Sequence, residues 1–529
     1  MIAVAGGRGS AKAGAIALGA SAAALVASVG LILSGVAAGT TGGTALPSAP
    51  VRAYNTLNDA TSAFASAPAV RYKGTVTTGG TTVRLDDVAV STDGTVLGTV
   101  NLDGGSARVA QVAGSAFVNG DSTFWRKRQE VAKRDGSGST TSDMTKVAGQ
   151  WVAAPLELFG FDLSKTLTPS RFGTVSGNDE ARYRDQPLTS GTVVPRSSET
   201  PDRRIHPSQD PPNISIADNG LIDSGGTQSG IGDQGQLIGV FGTFSSTAPA
   251  ERTPSGKLSV TVMSKDETTS FFSTIETLSK DLQRVPAPEV VVPKPQGKLD
   301  CGDVVCILRH TFSNTMPGAD RGEVTVNQTS NVTLNGAPIG SCARTIRMAM
   351  NSWASSECSI PYVPPRNVQM NFNAQSGFEI IGTAYKDVQV IVKSVDTGRK
   401  LADSKGTWKP TAPKAQPAAR AYNQQIAGVP SGYAFVVGDF PFDGRESDGT
   451  LLMVNGAGYD AHVLPNGTFD PRWAGTPQLV DNARAARAAA GDQPVRMVFA
   501  ESRSAGAMQK LLTTNGISGI QVVPVPAAG

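Results

Sequence analysis

The fold of the first half of the chain is decided by the stretch Tyr72-Lys-Gly-Thr-Val-Thr77, in which apolar or small side chains alternate with polar ones. This period of two is typical of a β-strand with one buried face. Further runs of the same kind follow, separated by glycine-rich turns: Thr82-Val-Arg-Leu85, Gly98-Thr-Val-Asn-Leu102, Ala107-Arg-Val-Ala-Gln-Val112 and Ser115-Ala-Phe-Val118. We therefore predict an antiparallel β meander between Arg71 and Val118.

A helix is predicted before the meander, within residues 51–66, from apolar side chains at helical spacing: Tyr54, Leu57, Ala60 and Phe64. Aromatic segments follow it: Ser122-Thr-Phe-Trp125, Gly149-Gln-Trp-Val152 and Phe159-Gly-Phe-Asp-Leu163. In this order, over about residues 51–172, the chain resembles the mycobacterial LppX-type envelope lipoproteins. The resemblance implies an α+β domain whose curved sheet and helices enclose a cavity for lipid acyl chains, although the lipobox cysteine of that family is missing. The alternative is that the aromatic residues are ordinary core residues: Trp125, Trp151, Phe159 and Phe161.

The composition indicates several folded pieces. The chain has 529 residues, several times the length of an ordinary domain. Its 59 glycines and 33 prolines favour short strands and many turns. A net charge of +3 argues against a large basic surface for nonspecific nucleic-acid binding.

The N-terminus carries an export signal. Residues 13–38 are free of charged side chains and long enough to cross a bilayer, and Arg8 and Lys12 place the N-terminus inside. Because Ser34-Gly-Val-Ala-Ala38 would also serve as a cleavage site, residues 1–45 are predicted to be either a transmembrane anchor or a signal peptide. The bulk of the chain is therefore predicted to be extracytoplasmic, at the cell membrane or secreted.

Four cysteines lie in the predicted outside portion and form two local pairs: Cys301, Cys306, Cys342 and Cys358. An oxidising compartment favours disulfides, and pairing 301 with 306 and 342 with 358 is the simplest of the three possible connectivities. A metal site is the alternative, but the spacings fit no zinc pattern and only His310 is nearby.

Composition also divides the middle of the chain. Residues 173–254 contain few large apolar side chains and are predicted to be a linker or a disordered insertion. Residues 255–405 are predicted to be a disulfide-containing β-rich domain, because alternating runs such as Glu323-Val-Thr-Val-Asn327 and Gln389-Val-Ile-Val-Lys393 accompany the cysteines. A connector rich in Pro, Ala and Lys, from Gly406 to Ala419, precedes the last piece.

The C-terminal piece alternates between strand and helix patterns, which predicts a small α/β unit. We predict a helix over 418–426 that ends at Gly428, and strands over 433–437 and 450–454 joined through Phe442-Asp-Gly444. The remaining predicted elements are a helix over 476–490, a strand over 496–500, a helix over 504–514 and a strand over 519–523.

Six segments of this piece resemble a known family: Ala421-Tyr-Asn-Gln-Gln-Ile-Ala-Gly428, Phe442-Asp-Gly444, Gly449-Thr-Leu-Leu452, Gly456-Ala-Gly-Tyr459, Phe499-Ala-Glu501 and Asn515-Gly-Ile-Ser-Gly-Ile520. In this order, over residues 415–529, they are similar to the restriction-endonuclease-fold toxin domains of bacterial polymorphic toxins. The resemblance implies a PD-(D/E)xK nuclease core that binds Mg²⁺ or Mn²⁺ through acidic groups on two strands. Asp443 aligns with the first of these carboxylates and is the predicted metal ligand.

The next strand departs from the family pattern. Where the family has an acidic residue, a spacer and a lysine, this chain has Met453, Val454 and Asn455. Mg²⁺ prefers oxygen ligands, and Asn455 offers a hydrogen bond without the charge of a lysine, so we expect crippled catalysis. Asn455 is kept as a candidate site residue for that hydrogen bond.

Other groups near Asp443 in sequence are candidates to replace the missing ones. Glu446 and Asp448 are the candidate second carboxylates, and Asp460 and Lys510 are weaker candidates. Glu501 belongs to the Phe-Ala-Glu segment and is either structural or catalytic.

The charge of the C-terminal piece is close to neutral, with eight Lys and Arg against nine Asp and Glu from Arg420 onward. Candidate phosphate contacts are Arg484, Arg487 and Arg496; the alternative, which the spacing favours, is that they belong to the polar face of a surface helix. His462 is a weak candidate for a base.

These observations predict a multidomain, exported or membrane-anchored, polymorphic-toxin-like protein of actinobacterial envelope type with a degraded metal-dependent DNase site. The predicted partners are DNA, an immunity protein, the membrane through residues 13–38 and lipid at the N-terminal domain. The alternative function is that of a non-catalytic envelope protein, for lipid handling or partner binding, that carries a pseudo-nuclease domain.

Overall fold

The computed structural model describes residues 58–134, 144–177, 203–207, 214–223, 227–231, 236–243, 253–293, 295–316, 319, 321–365, 368–411, 414, 416–429 and 431–528. Within these ranges, no helix is both long enough and apolar enough to cross a bilayer. The predicted export segment 13–38 lies outside the described residues, as do Tyr54 and Leu57 of the predicted first helix.

The predicted meander forms and is confirmed. It consists of β1 (Ala69–Thr78), β2 (Thr81–Ser91), β3 (Val96–Leu102), β4 (Gly105–Val112) and β5 (Ser115–Gly120), each antiparallel to the next. The turn between β3 and β4 uses Asp103 and Gly104, both at positive φ, as a tight hairpin turn requires. A short β6 (Val152–Ala154) pairs with β5.

This sheet continues past the meander. On the other side of β1 lie β11 (Ser255–Val262), β10 (Leu237–Thr243), β9 (Thr227–Ile231), β7 (Arg203–Pro207) and β8 (Ile214–Asp223), which complete an 11-stranded sheet. Segments of residues 173–254, predicted to be linker, thus become strands, and the predicted boundary at 254/255 falls inside one sheet. Strand pairing uses backbone groups, whereas composition reports only side chains.

The alternation along β1 sends its side chains to two different cores. Val70 and Tyr72 face helices α1 (residues 58–65), α2 (Ser122–Arg134), α3 (Leu163–Thr166) and α4 (Pro169–Gly177). Aromatic side chains pack against one another here: the rings of Tyr72 and Phe172 lie 5.3 Å apart and those of Phe124 and Trp125 lie 5.2 Å apart. Trp125, Phe159 and Phe161 are thus core residues, while Trp151 is half-buried beneath the Arg108 guanidinium.

The opposite face of the sheet is covered by α5 (Lys265–Leu278) and α6 (Val388–Ala402), which pack against each other. The strand predicted at residues 389–393 is wrong, because these residues lie in α6. Within this short window the apolar residues alternate, but Ile391, Val395 and Leu401 are buried at helical spacing over the longer segment. Asp387 caps the helix by accepting a hydrogen bond from the Gln389 N–H at 2.8 Å.

A disulfide-containing β sandwich packs beyond these helices. One sheet has the order β12 (Arg284–Pro286), β18 (Phe372–Tyr385), β15 (Arg321–Leu334), β16 (Ala337–Ala349) and the other has the order β13 (Gln296–Cys301), β14 (Val305–Ser313), β17 (Trp353–Pro361). Cys301 is bonded to Cys306 within the β13–β14 hairpin, and Cys342 is bonded to Cys358 from one sheet to the other. The simplest predicted connectivity is confirmed.

The C-terminal unit follows the predicted order of elements. Its helices are α7 (Pro417–Ala427), α8 (Gly475–Ala490) and α9 (Ser502–Thr514), and its strands are β19 (Thr407–Pro410), β20 (Tyr433–Val437), β21 (Phe440–Phe442), β22 (Gly444–Arg445), β23 (Leu451–Asn455), β24 (Val495–Phe499) and β25 (Ile520–Pro524). β23, β24 and β25 are parallel, with α8 and α9 as crossovers. β19 begins before residue 415 and pairs with β20, so this unit extends into the predicted connector.

The C-terminal unit is bound to the first domain through polar contacts at several points. The hydroxyls of Thr61 and Tyr433 are 3.1 Å apart, and the Trp408 N–H donates to Ser66 Oγ at 2.8 Å. Ala65 from α1 is buried in the core of the C-terminal unit. One residue of α1 is therefore packed in the core of the C-terminal unit.

Candidate functional site

The parallel strands of the C-terminal unit determine where the predicted site lies. Asn455 is the last residue of β23, and Glu501 follows β24 closely, so both are placed at the carboxyl edge of the sheet, where α/β folds bind ligands. Asp443 lies between β21 and β22, and its N–H donates to the Leu452 carbonyl oxygen at 2.8 Å. The hairpin thus fixes Asp443 against β23.

Both oxygens of the Asp443 carboxylate are engaged. Oδ2 accepts a hydrogen bond from the Val454 N–H at 2.7 Å, and Oδ1 forms an ion pair with Lys414 Nζ at 2.7 Å. The Asp443 side chain is 23% exposed and that of Lys414 is 38% exposed, so the pair sits at the rim of the unit rather than in open solvent.

Tyr459 is a third member of this group. Burial raises the pKa of the Tyr459 phenol, while the positive charge of Lys414 lowers that pKa and the negative charge of Asp443 raises it. The Tyr459 ring also packs edge-on against Phe499, with ring centroids 5.4 Å apart. We define Asp443, Lys414 and Tyr459 as the rim cluster.

The positions that depart from the nuclease pattern contribute no charge to the rim cluster. Met453 is buried among the apolar residues of the C-terminal core. The Asn455 amide donates to the Val498 carbonyl oxygen at 3.4 Å, which ties β23 to β24. Met453 and Asn455 thus stabilise the sheet, the first through apolar packing and the second through a hydrogen bond between strands.

The candidate replacement carboxylates are engaged away from Asp443. Glu446 forms an ion pair with Arg496, and Asp448 accepts a hydrogen bond from the Thr450 N–H at 2.9 Å within its own turn. In this structure neither carboxylate is paired with Asp443. The prediction that one of them acts as the second carboxylate would require a different conformation of its turn.

Glu501 and Asp460 cap each other's helices. Glu501 accepts hydrogen bonds from the N–H groups of Gly458 (3.1 Å) and Asp460 (2.9 Å), at the start of the 3₁₀ helix Tyr459–His462. Asp460 in turn accepts from the Ser504 N–H at 2.9 Å, in the first turn of α9. This reciprocal arrangement satisfies helix-terminal N–H groups and favours the structural interpretation of Glu501.

The remaining cationic and imidazole candidates also have partners within the unit. Lys510 donates to the Asn466 carbonyl oxygen at 2.9 Å, Arg487 donates to the Gly519 carbonyl oxygen at 2.9 Å, and Arg484 donates to the Asn515 side chain at 3.4 Å. The His462 ring stacks on Trp473, with centroids 4.1 Å apart. These contacts join α8, α9 and their loops.

The donor set does not fit the expected Mg²⁺ or Mn²⁺. A divalent metal of this kind wants several oxygen ligands, but Asp443 supplies one carboxylate that already neutralises Lys414. Among the described residues, no group of three or more His, Cys, Asp and Glu side chains is close enough to hold a metal ion. We therefore derive no metal-dependent step.

Two members of the rim cluster were not among the predicted site residues: Tyr459, which belongs to the segment Gly456-Ala-Gly-Tyr459 without an assigned role, and Lys414. Lys414 gave no sequence signal. It lies in the connector before α7, outside every segment that carries the family resemblance. A lysine in a Pro- and Ala-rich connector gives no local signal, since only the tertiary structure brings it to Asp443.

Comparison with known proteins adds little to this geometry. No protein-family model matches the chain, and no curated protein matches it. Among solved structures, the GH31 α-xylosidase of Xanthomonas citri is matched at 8% identity with a TM-score of 0.08. The match covers 37% of this chain and only 22% of the xylosidase, and it carries no argument about fold or function.

Proposed function

We propose that this chain is an exported or membrane-anchored, polymorphic-toxin-like protein whose C-terminal nuclease-fold domain has lost DNase activity and acts by binding a partner, such as an immunity protein. The single observation that carries the proposal is the ion pair between Asp443 and Lys414 at 2.7 Å. The ammonium group of Lys414 pairs with the Asp443 carboxylate, which is the group that would bind the metal in an active nuclease of this type. The order of helices and strands along residues 417–524 supports the nuclease-fold part of the proposal.

Export is supported by two independent features. Residues 13–38 carry the uncharged run, and both disulfides are formed, as an oxidising compartment allows. The proposal therefore places the described domains outside the cytoplasm. The proposal does not include lipid handling. The aromatic side chains on the helical face of the first sheet pack against one another, so they fill the space that a lipid chain would need.

The test is cleavage of plasmid DNA by the full chain with Mg²⁺ or Mn²⁺. We expect no cleavage by the native chain and a gain of cleavage when Met453→Glu and Asn455→Lys are combined with Lys414→Ala, which restores the acidic residue and lysine and frees Asp443. Adding Asp443→Ala to this triple variant is the matched control and should abolish the gained activity.

Two outcomes of this experiment would contradict the proposal. If the native chain cuts plasmid and Asp443→Ala alone removes that activity, the DNase site is functional and the loss-of-activity proposal is wrong. If the restored variant keeps the native unfolding transition but gains nothing, the nuclease-fold part of the proposal is wrong.

A further inference from the structure

A buried polar network lies between the two sheets of the disulfide-containing sandwich. The Gln328 amide of β15 donates to His310 Nδ1 of β14 at 3.0 Å and to Ser330 Oγ at 2.9 Å, and its oxygen accepts from Ser356 Oγ of β17. Ser330 Oγ is in turn 2.8 Å from Ser376 Oγ of β18. We call these residues the inter-sheet network. Because it joins β14 and β17 of one sheet to β15 and β18 of the other, it is a noncovalent link between the sheets.

His310 is the titratable member of the inter-sheet network, and it is almost completely covered. The residue is 6% exposed, and its ring lies 6.1 Å from the Phe312 ring and 5.3 Å from the Phe378 ring, measured between centroids. Its Nε2 lies against Gly297 of β13, where a Cβ atom would be only 2.8 Å from Nε2. Gly297 thus gives the imidazole room that a residue with a side chain would not.

The surroundings of His310 are uncharged. Among the described residues, those that contact it come from five strands and are all neutral: Gly297, Phe312, Gln328, Ser356 and Phe378. The charged residues next to these positions lie on the outer faces of the sheets and are exposed: Lys298, Arg309, Glu357 and Glu379. An imidazolium at this place would therefore have no carboxylate beside it.

The hydrogen bond from Gln328 requires the neutral form of the imidazole. The amide nitrogen only donates, so His310 Nδ1 must carry no proton. Turning the amide by half a turn would offer its oxygen to a protonated Nδ1, but the positive charge would still be buried without a counter-charge. Burial accordingly lowers the pKa of His310. The closed sandwich prefers the neutral ring, whereas an opened sandwich lets the ring take up its proton in water.

The same two sheets are linked covalently at one side. The disulfide between Cys342 and Cys358 joins β16 to β17, which are edge strands of their sheets. At the other edge of the second sheet, Cys301 of β13 is bonded within its own hairpin and not to the first sheet. Separation of the sheets is thus restricted at the β16–β17 side, while the β13 side is held by noncovalent contacts.

We propose that His310 is a proton-operated latch: on acidification it takes up a proton, the inter-sheet network breaks, and the sheets separate at the β13 side while the disulfide holds the other side. Above about pH 6.5 the ring is neutral in the closed and the opened sandwich, so the latch stays closed. As the pH falls, the opened sandwich binds the proton more tightly, and at pH 5.5 this favours opening about tenfold. The latch contains no residue of the C-terminal unit, so it is independent of the proposed function.

The test is hydrogen–deuterium exchange of the full, oxidised chain at pH 7.5 and 5.5, read by mass spectrometry and corrected for the intrinsic pH dependence of amide exchange. We expect peptides from β13 and β14 to exchange about tenfold faster at pH 5.5, and peptides from β3 and β4 of the first sheet to stay unchanged. In His310→Asn the acceleration should disappear, because Asn offers an oxygen to the Gln328 amide but does not titrate in this range. His462→Asn is the matched control and should keep the native response, since the His462 ring stacks on Trp473 in the C-terminal unit.

Gln328→Glu tests the charge argument by a separate route. It keeps the length of the side chain and places a carboxylate beside Nδ1, so the protonated ring gains a partner inside the closed sandwich. The acid-dependent acceleration should then be lost although His310 is still present. This variant also decides the matter if His310→Asn does not fold.

Three results would overturn the proposal. In the first, β13 and β14 of the native chain exchange no faster at pH 5.5. In the second, the first sheet accelerates as much as the sandwich, so that the opening is not local. In the third, His310→Asn or Gln328→Glu keeps the native response to acid.

Discussion

Removal of the Glu289 carboxylate should destabilise the fold more than removal of any single surface charge. Glu289 lies in the segment that leads into the disulfide sandwich, and it accepts two hydrogen bonds from Arg128 of α2 at 2.8 and 2.7 Å. The two side chains are only 9% and 11% exposed. Glu289→Ala would leave a buried guanidinium without its carboxylate.

The expected magnitude follows from that burial. Breaking a buried ion pair on one side costs about 3–5 kcal/mol, whereas an exposed pair contributes about 0–1 kcal/mol. Glu130→Ala provides the matched control, because Glu130 pairs with Lys127 on the same helix and its side chain is 57% exposed. The double variant Arg128→Met/Glu289→Leu should recover most of the loss, since neither charge is then buried.

Urea unfolding followed by tryptophan fluorescence is a suitable assay, because Trp125 is buried on the same helix as Arg128. With a slope of about 3 kcal/mol per M, Glu289→Ala should lower the midpoint by about 1 M or more. A midpoint for Glu289→Ala equal to that of Glu130→Ala would refute the reasoning. So would a double variant less stable than the single one.

Three further predictions concern the other domains. Cys342→Ser/Cys358→Ser should lower the free energy of unfolding by about 3 kcal/mol. This loss should exceed that of Cys301→Ser/Cys306→Ser by about 1 kcal/mol, because the longer closed loop removes more entropy from the unfolded chain. Equal losses in thermal unfolding would contradict this. Burial lowers the pKa of His310, so the unfolded chain binds its proton more tightly and stability should fall as the pH drops below about 6.5. His310→Asn should flatten the change in Tm between pH 7.5 and 5.5, and an unchanged slope would exclude His310 as its source. Glu501→Ala should cost about 1–2 kcal/mol through lost capping, measured by urea unfolding, and no loss of stability would exclude the structural role.

The agreement between sequence and structure is greatest where a pattern is local. β20 matches its predicted range over Tyr433–Val437, and α7 ends at Gly428, whose φ of 70° gives it the left-handed conformation that a C-cap requires. The meander is also local, because each strand pairs with the next one through a tight turn. Such features depend on side-chain period and turn chemistry within a few residues.

Prediction failed where a short pattern fitted two structures. The alternation over residues 389–393 fits a strand, but packing of Ile391 and Val395 against the buried face of α5 and the first sheet selects a helix. Composition misled in the same way over residues 173–254, where strands join an existing sheet edge through their backbones. In both cases a distant surface decided the outcome.

The sequence by itself determined the alternation of the strands, the helix ends and the local cysteine pairs, and it places Met453 and Asn455 where the nuclease family it resembles has an acidic residue and a lysine. Only the tertiary structure decided that Lys414 neutralises Asp443 and that Arg445 donates hydrogen bonds to Ser404 and Thr92, which lie far from it in the chain. The physical reason is the range of the interactions. Backbone preferences and side-chain periods act over a few residues and are written in the order of the chain, whereas these ion pairs and hydrogen bonds join residues that are brought together only by folding.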